Sequence, residues 1–174
     1  MAKTITVFGS SKPIAGDEQY LKGYELGKRL GENGFNVCTG GFKGIMEAVS
    51  KGANEMNVDA IGVTVDTWGR MPNKYLTKEI KCNSLFERVQ KLIKLGDGFV
   101  VLQGGTGTLL ELAAVWELCN KNIMDLKPVA CHSSMWKEII AIINLQMEKE
   151  GRDTETVKSF ENINEIVTYL KSNL

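Results

Sequence analysis

Neither sign of charge is in excess in this chain: 21 Lys and Arg stand against 21 Asp and Glu, for a formal net charge of zero. That balance leaves no electrostatic footprint for binding nucleic acid or an anionic membrane. No stretch approaches the roughly 20 apolar residues that span a bilayer, and Met1 to Phe8 leads into a strand without a signal-like apolar segment. Cysteine is sparse and dispersed. Cys38, Cys82, Cys119 and Cys131 form no CxxC pair and each sits in or beside apolar residues, so buried, reduced thiols are expected in place of disulfides or zinc. Histidine is reduced to His132 alone, at a strand end beside Cys131, where a structural role is expected over a ligand role. Internal repeats, low-complexity tracts and linkers are also missing. What remains is one domain over residues 1–174, long enough for a full core and expected in the cytoplasm.

Strands and helices alternate. Residues 4–8 read as a first strand ending in Gly9-Ser10-Ser11, followed by a helix from Glu18 to Asn33 with Gly34 as its stop. Phe35 to Cys38 is a second strand, which runs through Thr39-Gly40-Gly41-Phe42-Lys43-Gly44 into a helix from Ile45 to Met56. Asp59 to Val65 is a third strand, residues 66–77 read as loop, and Ser84 to Leu95 is helical. Later come a strand at Gly98 to Leu102, a helix at Leu109 to Asn120, a strand at Lys127 to Cys131, and helices at Met135 to Glu150 and Asn162 to Asn173. This order predicts an α/β, Rossmann-like fold, a parallel sheet with helices on both faces and right-handed crossovers. Ligands of such sheets bind beyond the carboxyl ends of the strands. Three glycine-rich turns, after Phe8, Cys38 and Leu102, fall on that edge, so one ligand spanning all three is expected.

The third turn, Gln103-Gly104-Gly105-Thr106-Gly107-Thr108-Leu109-Leu110-Glu111, carries the most information. Gly104, Gly105 and Gly107 allow the backbone to turn sharply and aim N–H groups at bound oxygens. Thr106 and Thr108 add hydroxyls, with Thr108 as a candidate N-cap. The positive end of the following helix favours a phosphate. Glu111 would repel that phosphate directly, which implies a neutral ribose or water between them. Neither common nucleotide fingerprint applies: GxGxxG would need glycine where Leu110 stands, and a P-loop would need lysine where Thr108 stands. A plain tight turn without a ligand is the competing reading.

Arg88 lies at the edge of an apolar stripe formed by Leu85, Phe86, Val89, Leu92 and Ile93. A shielded guanidinium there requires an oxygen-rich partner, unless it snorkels to solvent or pairs locally. The helix from Leu109 is apolar nearly all round, which implies a second burial surface across a homodimer, or else complete burial within its own domain. Trp68, Met71 and Tyr75 could wall a pocket for a flat ring or be ordinary packing.

Taken together, these motifs resemble the PGGxGTxxE proteins long labelled possible lysine decarboxylases. That group includes the Lonely Guy cytokinin riboside 5′-monophosphate phosphoribohydrolases, with molybdenum cofactor carrier proteins as a related branch. The likeness spans residues 4–132: Gly104, Gly105, Gly107, Thr108 and Glu111 match the signature, Arg88 stands at the spacing of the family's catalytic arginine, Gly9 and Ser10 match the first turn, and Gly40, Gly41, Gly44 and Met46 the second. It implies a dimer that binds an AMP-like nucleotide, with Arg88 and Glu111 catalytic and no metal or organic cofactor. The implied reaction cleaves the N-glycosidic bond to free base and ribose 5-phosphate; the alternative is a non-catalytic nucleotide or molybdenum cofactor carrier. Four positions depart from the pattern: Gln103 replaces a proline, Val89 a lysine, and Thr39 and Glu47 replace glycines, the last in the manner of the carrier branch. Nothing marks a pyridoxal phosphate lysine, so the decarboxylase label finds no support.

Overall fold

The computed structural model describes residues 2–174. Seven strands, β1 (Thr4–Phe8), β2 (Asn36–Thr39), β3 (Ala60–Val65), β4 (Lys78–Cys82), β5 (Gly98–Val101), β6 (Val129–His132) and β7 (Val157–Phe160), form one sheet in the order β4-β3-β2-β1-β5-β6-β7. Every pairing is parallel. The chain builds outward from β1 to β4, then returns to place β5 on the other side of β1, with Ile5 opposite Gly98 and Phe8 opposite Val101. The switch point of the sheet is therefore the β1/β5 boundary, where a crevice opens at the carboxyl ends.

Helices α1 (Glu18–Glu32), α2 (Ile45–Asn54) and α6 (Ile163–Asn173) cover one face, and α3 (Leu85–Leu95), α4 (Thr106–Asn120) and α5 (Ser134–Lys149) the other. Successive strand residues alternate between the two cores: Val100 packs with Leu26, Leu30 and Ile166, while Val101 packs with Leu92, Leu112 and Trp136. The four cysteines are free and buried. Among the described residues no helix is long and apolar enough to cross a membrane.

Two strands are absent from the expectation drawn from sequence. β4 reads Lys-Glu-Ile-Lys-Cys and is largely exposed, and β7 reads Val-Lys-Ser-Phe. Both are the edges of the sheet, where charged residues protect unpaired backbone and no continuous apolar run is required. The 66–77 segment, expected as loop, contains a short 3₁₀ helix at Asp66–Trp68. Helix α4 starts at Thr106 with Gly105 as its N-cap, so Thr108 lies inside the first turn and is not the cap.

Helices α1 and α2 approach closely through glycines. A Cβ on Gly27 would lie 2.1 Å from the Val49 carbonyl oxygen, and one on Gly52 2.3 Å from that of Tyr24. Backbone cannot give way as a flexible side chain can. Gly27→Ala is therefore expected to destabilise the fold by about 1–3 kcal/mol through overpacking, against the gain of about 1 kcal/mol that alanine brings to an exposed helix. Urea unfolding measures this, and an unchanged or raised midpoint would show that the α1/α2 contact is looser than described.

Candidate functional site

Backbone hydrogen bonds converge on Ser10 and hold the three glycine-rich turns together. Its N–H donates to the Gln103 carbonyl at 3.0 Å, and its own carbonyl accepts from the Ile45 N–H at 2.9 Å. The first turn is thereby tied to the third on one side and to the start of α2 on the other. Trp136 Nε1 donates to the Leu102 carbonyl at 2.9 Å and anchors the end of β5 just before the third turn. Asn73, buried, donates to the Gly41 and Phe42 carbonyls and ties the 66–77 segment to the second turn.

Over these turns lies a cavity of about 390 Å³. Nine of the expected site residues line it: Gly9, Ser10, Gly40, Arg88, Gly105, Thr106, Gly107, Thr108 and Glu111. Gly104, Gly41 and Gly44 do not line it; they sit behind the wall. A Cβ on Gly104 would meet the Thr108 hydroxyl oxygen at 2.1 Å, and one on Gly44, whose φ is +72°, would meet the Ser10 carbonyl oxygen at 2.4 Å. Gly41, with φ of +77°, is backed by Thr64 and Gly62. These three glycines permit close packing beneath the cavity.

Gly105 and Gly107 differ: a Cβ at either would meet nothing within 4 Å. No side chain caps α4, and the first N–H groups of a helix have no intrahelical acceptor. They face open space bearing the positive end of the helix dipole, an arrangement suited to an oxyanion.

Arg88 and Glu111 come together from α3 and α4, with Arg88 Nη1 donating to Glu111 Oε1 at 3.3 Å. Their exposures are 6% and 8%. Arg88 Nε also donates to the Val63 carbonyl at 2.8 Å, and Nη2 lies 3.8 Å from the Met46 sulfur. Its guanidinium carbon lies 5.5 Å from the Trp68 ring centroid and 5.8 Å from that of Phe42, two rings themselves stacked at 5.8 Å. Gly40 explains how the guanidinium fits, since a Cβ there would stand 1.7 Å from Arg88 Nη2. Sequence reasoning offered Gly40 to a ligand; the structure gives it a direct part in seating Arg88.

Burial pushes the Glu111 carboxyl up to about 7, with Arg88 opposing the rise. Burial likewise lowers the Arg88 guanidinium from its ordinary value, with Glu111 opposing. The pair thus combines a carboxyl that exchanges protons near neutral pH with a shielded cation.

Met46, matched in sequence to the second turn, lines the cavity as well, and so do Lys12, Phe42, Arg70 and Leu85, none of which sequence reasoning assigned to a pocket. Lys12 follows the first turn directly and could have been noticed there. Phe42 carried no signal, because its role depends on where Arg88 folds. Of the three loop residues weighed as a ring-binding wall, Trp68 lines the cavity, Met71 is exposed and Tyr75 lies outside the lining. His132 lies away from it, at the end of β6.

The chain belongs to the SLOG cluster4 family, whose model matches residues 2–167. It is 30% identical over 105 residues to a pyrimidine/purine nucleotide 5′-monophosphate nucleosidase of Escherichia coli (strain K12), covering 55% of this chain and 23% of that protein. It is 29% identical over 118 residues to a probable cytokinin riboside 5′-monophosphate phosphoribohydrolase of Oryza sativa subsp. japonica, covering 65% of this chain and 47% of that protein. The chain thus spans less than half the length of either relative. Among solved structures, the molybdenum cofactor carrier protein of Chlamydomonas reinhardtii superposes with a TM-score of 0.80 at 21% identity, covering 99% of this chain and 98% of that one. At that identity the likeness shows the shared fold.

Two outcomes follow from this geometry. In the folded chain Glu111 keeps its proton up to about pH 7, whereas an unperturbed carboxyl loses it near 4.5. The unfolded state binds fewer protons between these limits, so stability falls as pH rises through them and levels off above. Urea unfolding from pH 4 to 8 is expected to show this fall for the native chain relative to Glu111→Gln, and a difference independent of pH would contradict it. Gly40→Ala is expected to displace Arg88 and destabilise by about 1–3 kcal/mol. Gly107→Ala, a helix position with open space before it, is expected to keep or raise stability by up to about 1 kcal/mol while weakening phosphate binding. Equal stability loss in both variants, by the same unfolding measurement, would overturn the distinction.

Proposed function

We propose that the chain is a phosphoribohydrolase that cleaves a nucleoside 5′-monophosphate to free base and ribose 5-phosphate. The observation that carries this reading is the buried Arg88–Glu111 pair, 3.3 Å apart, in the same cavity as the uncapped start of α4. A site that only held a phosphate would require no carboxylate buried beside it. The names of the Escherichia coli and rice relatives support the same class of reaction.

In this proposal the 5′-phosphate sits against the N–H groups of Gly105 to Thr108, with Gly9, Ser10 and the second turn closing around it. Gly104, Gly41 and Gly44 contribute by shaping the backbone behind. The ribose then lies between the phosphate and Glu111, which removes the repulsion that direct contact would create. The bond between ribose C1′ and the base nitrogen breaks through an oxocarbenium-like ribose. Its electron pair leaves with the base, which takes up a proton; water adds to C1′ and gives a proton to Glu111. A carboxyl that titrates near neutral pH is matched to accepting that proton. The Arg88 guanidinium, fixed by Val63 and the Phe42 and Trp68 rings, stabilises charge as the base departs. The ligand is a small-molecule nucleotide, and the site asks for no metal or organic cofactor.

The proposal includes a homodimer and treats residues 1–174 as one nucleotide-binding domain. An apolar face formed by α3, α4 and the segment after α4 presents Phe86 at 74% exposure together with Ile123, which is also exposed. Leu85 is exposed on that side and also lines the cavity, so a partner docked there would border the site. A carrier that uses the same cradle without chemistry is the second reading. The molybdenum cofactor carrier protein of Chlamydomonas reinhardtii, which shares the fold, fits that reading.

Incubation with AMP and the other nucleoside monophosphates, with chromatography for free base, tests the reaction. Release of base is expected, and Glu111→Gln is expected to lower the rate by about 10²-fold or more while retaining nucleotide binding. Binding without release from any monophosphate would favour the carrier.

A further inference from the structure

We propose that Arg70 reads the base of the nucleotide and selects a 6-oxopurine, guanine or hypoxanthine, over adenine and the pyrimidines. This assignment rests on the phosphoribohydrolase reading, which puts the phosphate at the start of α4 and the ribose beside Glu111 and leaves the base to the far end of the cavity.

A chain of contacts leads from the cradle to that end. Glu111 lies one turn along α4, and Arg88 Nη1 stands 3.3 Å from its Oε1. The Arg88 guanidinium carbon lies 5.5 Å from the Trp68 ring centroid, and the Arg70 guanidinium carbon 5.8 Å from the same centroid. Arg70 lines the cavity together with Trp68 and Leu85, whose exposed apolar surface suits a flat ring. A nucleotide laid with its phosphate on α4 and its ribose at Glu111 therefore brings its base to Arg70.

Arg70 is both held in place and free of other engagements. Gly69, with φ of +60°, turns the chain directly after the 3₁₀ helix, and buried Asn73 then pins the segment to the Gly41 and Phe42 carbonyls. The backbone of Arg70 is fixed between these two points. Asp66 is taken up by Lys81 at 3.1 Å, and no salt bridge among the described residues includes Arg70. Burial is the main cause that lowers the Arg88 guanidinium, and the like charge of Arg70 adds to it. An electron-rich group set between the two cations relieves that repulsion.

The chemistry of the side chain then selects the base. Arginine only donates, through a planar fork. Guanine and hypoxanthine present two acceptors, O6 and N7, side by side on one edge. Adenine couples its N7 acceptor to an N6 donor, cytosine offers an N4 donor, and uracil a single O4 acceptor. The 6-oxopurines alone satisfy both prongs. The same donation draws charge from the ring as its bond to C1′ breaks, so it assists departure as well as binding.

Inosine 5′-monophosphate and AMP differ on that edge only in the group at C6, so comparing them isolates the contact. The native chain is expected to release base from inosine 5′-monophosphate with a kcat/KM at least about tenfold above that for AMP. Arg70→Gln is expected to turn the preference toward AMP, because glutamine matches adenine N6 and N7. Calorimetric titration of both nucleotides, and of ribose 5-phosphate, which has no base, reads binding apart from chemistry. Arg70→Gln is expected to leave the ribose 5-phosphate affinity unchanged, which also shows that the variant is folded. A loss there equal to the loss for inosine 5′-monophosphate would mean that Arg70 holds a phosphate, and would overturn the proposal. Equal binding of the two nucleotides by the native chain would overturn it as well. Tighter binding of inosine 5′-monophosphate without release of base supports Arg70 as the base reader and counts against hydrolysis alone, so the two claims fail separately.

Discussion

A guanidinium and a carboxylate held side by side out of water are the constraint around which this molecule is arranged. Burying either charge alone costs several kcal/mol, and removing one partner of such a pair typically costs about 3–5 kcal/mol. Each helix that supplies a member must therefore be fixed in place. Strand β3 gives Arg88 a carbonyl acceptor at Val63, and the 3₁₀ segment brings Trp68, itself stacked on Phe42, against the guanidinium. The second turn supplies Gly40, whose missing side chain is the space the guanidinium occupies. Ser10 joins the turns on which the pair depends. The proposed chemistry requires this same rigidity, because a buried carboxyl is reactive only where its environment holds it near neutral pH.

The switch point of the sheet explains why the pair and the cradle share one cavity. Reversal of the strand order at β1 and β5 separates the helices that follow them, leaving a crevice bounded by the first, second and third turns. The cradle comes from the start of α4, and Glu111 lies one turn further along the same helix. A phosphate at the helix end and a ribose beside Glu111 then lie in sequence along one axis. The SLOG cluster4 membership and the superposition on a cofactor carrier place this arrangement on a fold that accommodates more than one purpose, which is why function has to be argued from the site.

Much of the architecture was legible in the chain, for identifiable reasons. β1, β2, β3, β5 and β6 are covered on both faces and read as apolar runs; β4 and β7 are edges and lack that signal. The pairing of Arg88 with Glu111 was anticipated through spacing and family resemblance, while the partial shielding of Arg88 followed from its place on the α3 stripe. The glycines were harder to sort. Gly105 and Gly107 face open space, whereas Gly104, Gly41 and Gly44 press against backbone or side chain, and sequence alone presents all five alike. Phe42 and Val63 were invisible as site residues because their contribution is a contact across the fold. Thr108 was misplaced as a cap because α4 begins a full turn earlier than its apolar run.

The central claim is that burial, more than the neighbouring arginine, sets the state of Glu111. A ¹³C titration of the Glu111 side-chain carboxyl in the intact chain, assigned by comparison with Glu111→Gln, measures this directly. A midpoint near 7 is expected, well above the ordinary 4.5. A midpoint at or below 4.5 would mean that Arg88 dominates, and the carboxylate would be a fixed counter-ion unable to take a proton from water at neutral pH.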